Sequence, residues 1–160
     1  RCHRLNCLWH IKNSKDREQA SRKAAEHAVT ILQMLEFPSE FMDEVRGAIE
    51  SHSYSANLEP LTSAAKIVQD ADRLEALGAL GIARLFYVAG QMNSKLFDPE
   101  DPWASRRELN DKQYAIDHFY VKLFNIEKIM QTRSGHQRAE ELTLRMHDYL
   151  QQFKNEVSGN

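Results

Sequence analysis

The segment from Ala65 to Ala79 contains the carboxylate with the strongest case for chemistry. At about 100° per residue, one face of a helix over this segment holds mostly small residues together with Asp72. The opposite face carries Ile67 and Leu74, so the helix is predicted to be central and buried. A buried carboxylate is costly unless it is paired or bound to a metal. Asp72 is therefore expected either to form a salt bridge with another helix or to ligate a metal.

Two histidines lie at positions that favour either a structural or a ligand-binding interpretation. His52 ends a helix just before a Ser-Tyr-Ser turn. It either interacts with the helix dipole or contacts a ligand or phosphate. His118 and Lys122 are four residues apart and share a helix face. That face is either a solvated surface or an anion contact.

The first ten residues hold four potential zinc ligands, namely Cys2, His3, Cys7 and His10. Their spacing differs from the common zinc patterns, and no second ligand pair follows them. A zinc-dependent interaction segment is kept as a hypothesis. The two cysteines are five residues apart, so a disulfide between them would close a tiny loop and stabilise little. This favours a reducing, cytoplasmic location.

Helical spacing of the apolar residues runs through most of the chain, and strand-like alternation of useful length is missing. The predicted architecture is all-α, with helices over 16–36, 39–52, 62–91, 111–124 and 132–157. The first helix is expected to have an apolar stripe through Ala24 and Ile31, and Ser39 is expected to cap the second. Three glycines in the third (Gly78, Gly81 and Gly90) predict either close packing or a break into two helices. The loop over 93–110 is long enough to be either functional or disordered.

The composition excludes several classes of protein. The chain has 160 residues, 21 Lys and Arg, 23 Asp and Glu, and a formal net charge of −2. This balance argues against bulk nucleic-acid or membrane-surface binding. No apolar run approaches the ~20 residues that span a bilayer. The sequence starts at Arg1, so we expect a fragment, a processed form or a mis-started reading frame.

Several spaced motifs together resemble a bacterial subgroup of HD-domain metal-dependent phosphohydrolases. The most specific is KIVQDADRLEALG at 66–78. Four more segments fit in order: AIESHSYS at 48–55, LFDPEDP at 96–102, YAIDHF at 114–119, and KL at 122–123. KNS at 12–14 with ASR at 20–22 extends the match, which covers about residues 11 to 156.

The resemblance implies an HD-domain-like helical bundle that holds a divalent metal such as Mn²⁺, Mg²⁺ or Fe. In such enzymes the metal activates a water to attack a phosphate of a nucleotide or related phosphate ester. Asp72 corresponds to the distant metal-ligating Asp, and His52 is expected near the metal or the substrate, so both are candidate metal and catalytic residues. The candidates to hold phosphate are Lys12, Asn13, Arg73, His118 and Lys122.

The chain departs from the family pattern where the adjacent His-Asp pair belongs. Counting back from Lys12 places Leu5-Asn6 there, and a two-residue slip gives His3-Arg4, which lacks the carboxylate. The helix with the first His is expected to precede Arg1, so the bundle is expected to be N-terminally truncated. We expect a divergent segment at 1–10 followed by one HD-like domain at 11–157.

These departures give two functional hypotheses and one structural consequence. The chain is either a phosphohydrolase by descent with impaired activity, or a non-catalytic nucleotide- or phosphate-binding module or inactive remnant. Without the missing helices, the face around Asp72 would expose apolar side chains or be covered by residues 1–11. An exposed apolar patch of that kind favours self-association.

Overall fold

The computed structural model describes residues 14–54 and 57–159, and this part of the chain is all-α, as predicted. Extended pairing within it is limited to one bridge between Lys95 and Tyr114. None of the described helices combines the length and the apolar character that crossing a membrane requires. The helices are α1 (Ser14–Met34), α2 (Ser39–Ser51), α3 (Ser63–Leu74), α4 (Gly78–Gln91), α5 (Asp117–Val121) and α6 (Arg133–Ser158).

The chain divides into two compact units between Asp72 and Arg73, close to the end of α3. In the N-terminal unit, α1 packs against α2. The buried residues of α1 are Ser21, Ala25 and Val29, spaced four apart on one face. The predicted stripe was therefore wrong by one position, since Ala24 and Ile31 are exposed.

The beginning of α2 also differs from the sequence prediction. Pro38 occupies the N-cap position with extended backbone, and Ser39 is the first helical residue, with no side-chain cap hydrogen bond. Proline suits a helix entrance because its fixed φ is compatible with the turn and it has no N–H to satisfy.

A break at Gly78 separates α3 from α4, which is one of the two outcomes that the glycines left open. The backbone N–H groups of Ala76 and Leu77 donate three residues back and close a tight turn. Gly78 then adopts a φ of +66°, which residues with a Cβ rarely tolerate. Close packing also occurs, because a Cβ on Gly81 would lie 2.1 Å from the Ala76 carbonyl oxygen.

The core of the C-terminal unit lies between α4, α5 and α6. Helix α6 begins where predicted, because the Thr132 hydroxyl accepts a hydrogen bond from the Gly135 N–H at 2.9 Å. Its predicted apolar side is confirmed: Met146 and Leu150 are buried, and aromatic side chains pack beside them. The fully buried members of this core include Phe119, Ile116, Leu77, Ile126 and Met146.

Helix α5 is much shorter than predicted. Asp111 does not begin a helix that continues to Phe124; α5 spans Asp117–Val121 and is followed by two short 3-10 turns. The residues before α5 use their side chains locally instead, because the Asn110 side-chain oxygen accepts from the Gln113 N–H at 3.3 Å. Such local bonds compete with helix formation.

Candidate functional site

His52 lies at the C-cap of α2, where the structure fixes one of its ring nitrogens. Nδ1 is 2.5 Å from the Ile49 carbonyl oxygen, so Nδ1 carries the proton and donates it. This contact agrees with the helix-terminal interpretation. It also leaves Nε2 as the nitrogen with a lone pair, the arrangement that metal-ligating histidines use.

Asp72 is less buried than predicted. It lies on the last turn of α3 and is half-buried, whereas Asp70 is the buried carboxylate of this helix, with 3% exposure. Ile67 is 60% exposed, so α3 is not enclosed on both faces. Within its own unit, the Asp72 carboxylate has no hydrogen-bond or ion-pair partner among the described residues. The predicted salt bridge is therefore not formed there.

Gln69 is a positioning residue that the sequence did not single out. Its side chain is 1% exposed, and its Nε2 donates to the carbonyl oxygens of Ser51 at 2.7 Å and Leu58 at 3.2 Å. It therefore ties α3 to the residue preceding His52. Its Oε1 has no hydrogen-bond partner in the described part of the chain. A polar residue on the small-residue face, four positions after Ala65, was the available signal.

The described residues do not fit a complete metal centre. No three His, Cys, Asp or Glu side chains among residues 14–54 and 57–159 come together in a group that could hold a metal ion. Hard divalent ions need several oxygen or nitrogen ligands to bind tightly. The predicted substrate-holding residues Lys12 and Asn13 lie outside the described residues, as do Leu5-Asn6 and the proposed zinc ligands.

In the C-terminal unit, His118 is held by a carboxylate. Its Nδ1 lies 2.9 Å from Asp111 Oδ2, and the two side chains are 26% and 30% exposed. Burial lowers the pKa of His118 below its ordinary value; the hydrogen bond to Asp111 raises it, and the charge of Lys122 lowers it. Lys122 follows one turn later, and its backbone N–H donates to the His118 carbonyl at 3.0 Å.

Arg73 anchors the end of α3 within the C-terminal unit. Its Nη1 donates to the Ile129 carbonyl oxygen at 2.5 Å, and its side chain is half-buried. Ile129 ends the second 3-10 turn before α6. At least one guanidinium N–H is therefore committed to the fold.

A buried ion pair that the sequence did not reveal holds the start of α5. Arg107 binds Asp117 through both terminal nitrogens, at 2.5 and 2.8 Å, and Asp117 is 1% exposed. The Asn110 N–H donates to the same carboxylate at 2.6 Å. The guanidinium carbon also lies 4.4 Å from the centre of the Tyr114 ring. The hydrogen bonds that Arg107 donates to Asp117 raise the pKa of Arg107.

Two aspartates order the long loop before this ion pair. The hydrogen bond from the Tyr114 hydroxyl, followed by that of the Glu100 N–H, lowers the pKa of Asp98. Backbone N–H groups of Arg106 and Ser105 lower the pKa of Asp101. The carboxylate of Asp101 accepts hydrogen bonds from within the loop, and that of Asp98 accepts them from the loop and from Tyr114. The loop is thereby ordered up to Arg107, which binds Asp117 at the start of α5.

The described site residues thus fall into two groups. His52 and Asp72 belong to the N-terminal unit, whereas Arg73, His118 and Lys122 belong to the C-terminal unit. His118 lies on α5, whereas Lys122 is the C-cap residue just after it, so the predicted helix face does not include Lys122. The Lys122 charge is nonetheless close enough to lower the pKa of His118.

Comparison with known proteins adds family evidence to this geometry. The family model described as HD domain matches residues 9–77. The uncharacterized protein YpgQ of Bacillus subtilis is 37% identical over 101 residues, which are 63% of this chain and 43% of YpgQ. The chain therefore spans less than half the length of that curated relative.

Solved structures with the same fold extend the match to the C-terminal unit. The crystal structure of Bacillus subtilis YpgQ in complex with ADP has a TM-score of 0.66 and 32% identity, covering 82% of this chain and 61% of that one. The Lin1889 protein of Listeria innocua has a TM-score of 0.69 and 31% identity, with 87% and 68% coverage. An HD-superfamily hydrolase of Bacillus thuringiensis has a TM-score of 0.67 and 29% identity, with 85% and 63% coverage.

Proposed function

The chain belongs to the HD-domain superfamily, and from that premise we propose that it binds nucleotides or related phosphates and hydrolyses them poorly. The single observation that carries the proposal is the pair at the end of α5, where a carboxylate-held His118 lies one turn before the C-cap residue Lys122, whose charge reaches the imidazole. Two nitrogenous groups at this spacing suit the oxygens of a phosphate. The complex of YpgQ with ADP supports a nucleotide as the ligand class.

The proposed impairment follows from the metal ligands. Leu5-Asn6 replaces the expected His-Asp pair, and neither Leu nor a neutral Asn substitutes for it. Asp72 and His52 remain as the proposed metal and catalytic residues. With so few ligands, a divalent metal such as Mn²⁺, Mg²⁺ or Fe is expected to bind weakly. When bound, a metal would supply an activated water for attack on phosphorus.

Nucleotide binding is tested by equilibrium dialysis of labelled ADP with the full chain. His118→Gln and Lys122→Gln are expected to weaken binding, by roughly tenfold for Lys122 if a charge-assisted bond of about 1.5 kcal/mol is lost. Lys128→Gln is the matched control, because Lys128 is an exposed lysine of the neighbouring turn that bonds Asn125. No binding at millimolar ADP, or equal losses in all three variants, contradicts the proposal.

Impairment is tested with metal and turnover together. Calorimetry with Mn²⁺ is expected to show weak binding to the parent chain and tighter binding after Leu5→His combined with Asn6→Asp. The gain should disappear when Asp72→Ala is added. Strong Mn²⁺-dependent release of phosphate or pyrophosphate from nucleotides by the parent chain would show that it is an active hydrolase instead.

Self-association and a cytoplasmic location are part of the proposal. The exposed Val68, four residues before Asp72 and on the same face of α3, is the apolar side chain proposed to associate. Sedimentation velocity is expected to show oligomers that Val68→Lys disperses, whereas Lys128→Gln leaves them unchanged. A monomer at all concentrations contradicts this part. The proposed location rests on Cys2 and Cys7, which are too close in sequence for a disulfide that stabilises much.

A further inference from the structure

The bond between Asp111 and His118 determines which ring nitrogen is available. A carboxylate accepts hydrogen bonds and donates none when ionised, so the contact at 2.9 Å assigns the proton to Nδ1. The neutral ring then carries its lone pair on Nε2. No hydrogen bond from the described part of the chain occupies Nε2.

The surroundings hold this arrangement in place. Asp117, next to His118, is the buried carboxylate that accepts hydrogen bonds from Arg107 and from the Asn110 backbone N–H. The backbone N–H of His118 donates to the Ala115 carbonyl at 3.1 Å, so the backbone that carries the imidazole is fixed as well. Asp111 follows Asn110 directly, and His118 follows Asp117. The hydrogen bond from Asn110 to Asp117 therefore holds Asp111 and His118 near each other.

We propose that Asp111 and His118 form a proton-linked anion-binding dyad, in which Asp111 positions the ring and a tetrahedral oxyanion binds at Nε2. This inference rests on the proposed function, because it concerns the same α5 site. The balanced step is simple: neutral imidazole takes one proton from solvent at Nε2, and the resulting N–H donates to an anion oxygen. No covalent bond to the anion forms.

The charges around the ring give the direction of the pH dependence. In the free protein, burial and the Lys122 ammonium lower the pKa of His118, while Asp111 raises it, and the net change is downward from 6.5. A bound dianion favours the imidazolium and raises that pKa. Affinity therefore increases as the pH falls from the higher pKa of the complex to the lower pKa of the free protein, and it is constant outside that window.

Sulfate is the probe, because it stays a dianion between pH 5 and 9 whereas phosphate itself titrates. Sulfate affinity of the full chain is measured at constant ionic strength from pH 5 to 8.5, with the His118 resonances followed by NMR. A rise of one pKa unit on binding corresponds to roughly tenfold tighter binding at the acidic end. His118→Gln should abolish the pH dependence, and the exposed His136→Gln should not.

Long-range ¹H–¹⁵N correlations of the free protein test the dyad separately from any ligand. They should show His118 protonated at Nδ1 and unprotonated at Nε2 near neutral pH, and Asp111→Ala should shift the ring toward the Nε2–H tautomer. The Nε2–H tautomer in the parent chain overturns the inference whatever binds to α5. Sulfate affinity that is independent of pH, or absent at 100 mM, also overturns it, whereas ADP dialysis decides the proposed function independently.

Discussion

The ion pair between Arg107 and Asp117 gives a direct test of how the C-terminal unit is held together. Asp117→Ala removes two charge-assisted hydrogen bonds from the guanidinium and the one from the Asn110 N–H. Breaking a buried pair by removing one partner typically costs about 3–5 kcal/mol. Arg107 keeps its bond to the Asp101 carbonyl at 3.1 Å and its side chain is 19% exposed, which reduces the penalty. We therefore expect a loss of about 3 kcal/mol in the free energy of unfolding.

Urea unfolding followed by Trp103 fluorescence measures this loss in the C-terminal unit, to which the ion pair belongs. Trp103 packs edge-on against Phe153 in the C-terminal core, and a Trp9→Phe background removes the other tryptophan. With a urea dependence of about 2 kcal/mol per M, the expected loss lowers the midpoint by about 1.5 M. A double-mutant cycle with Arg107→Ala is expected to give a coupling of about 2 kcal/mol.

The exposed pair of Arg138 and Glu141 is the matched control. Its distance of 2.6 Å is as short as those of the buried pair, but both side chains are more than half exposed. Solvent screening limits such pairs to about 0.5 kcal/mol. Equal coupling energies in the two cycles would refute the argument that burial, rather than distance, makes the Arg107 pair important.

Three further predictions concern stability and use the same unfolding assay. Gly81→Ala is expected to cost more than 2 kcal/mol because its Cβ would overlap the Ala76 carbonyl, whereas Gly90→Ala, with open space around it, is expected to gain about 0.5–1 kcal/mol; the reverse order would contradict the packing argument. Met146→Ala is expected to cost about 2–5 kcal/mol since the side chain is fully buried, and a cost below 1 kcal/mol would contradict its place in the core. Thr132→Ala removes the α6 cap and is expected to cost about 1 kcal/mol, with Thr132→Ser restoring most of it.

The long helices could be predicted because their signals are local and repeated. Helix α6 combines a capping threonine with apolar residues at helical spacing over many turns, and its predicted bounds differ from the structure by a residue. The break before α4 was signalled by Gly78. The length of α5 could not be predicted, since hydrogen bonds accepted by the side-chain oxygens of Asn110 and Asp111 compete with the helix. Residue type alone does not say whether the helix or these bonds form.

The spacing of residues could not predict how deeply a side chain is buried or which distant residues form hydrogen bonds. Helical spacing placed Asp72 on the face of Ala65, but its position on the last turn leaves it half-buried. Asp117 and Arg107 are ten residues apart across an irregular loop, so no repeating pattern connects them. Gln69 likewise bonds Ser51, eighteen residues earlier.

His52 and His118 are held in the same way, and the sequence could predict only one of the two contacts. Each has Nδ1 bound to an oxygen, the Ile49 carbonyl for His52 and the Asp111 carboxylate for His118. The first oxygen belongs to the last turn of α2, whose carbonyls have no partner within the helix. The second depends on a turn that the Arg107–Asp117 pair stabilises. A substitution at Arg107 should therefore alter the tautomer of His118 while leaving that of His52 unchanged.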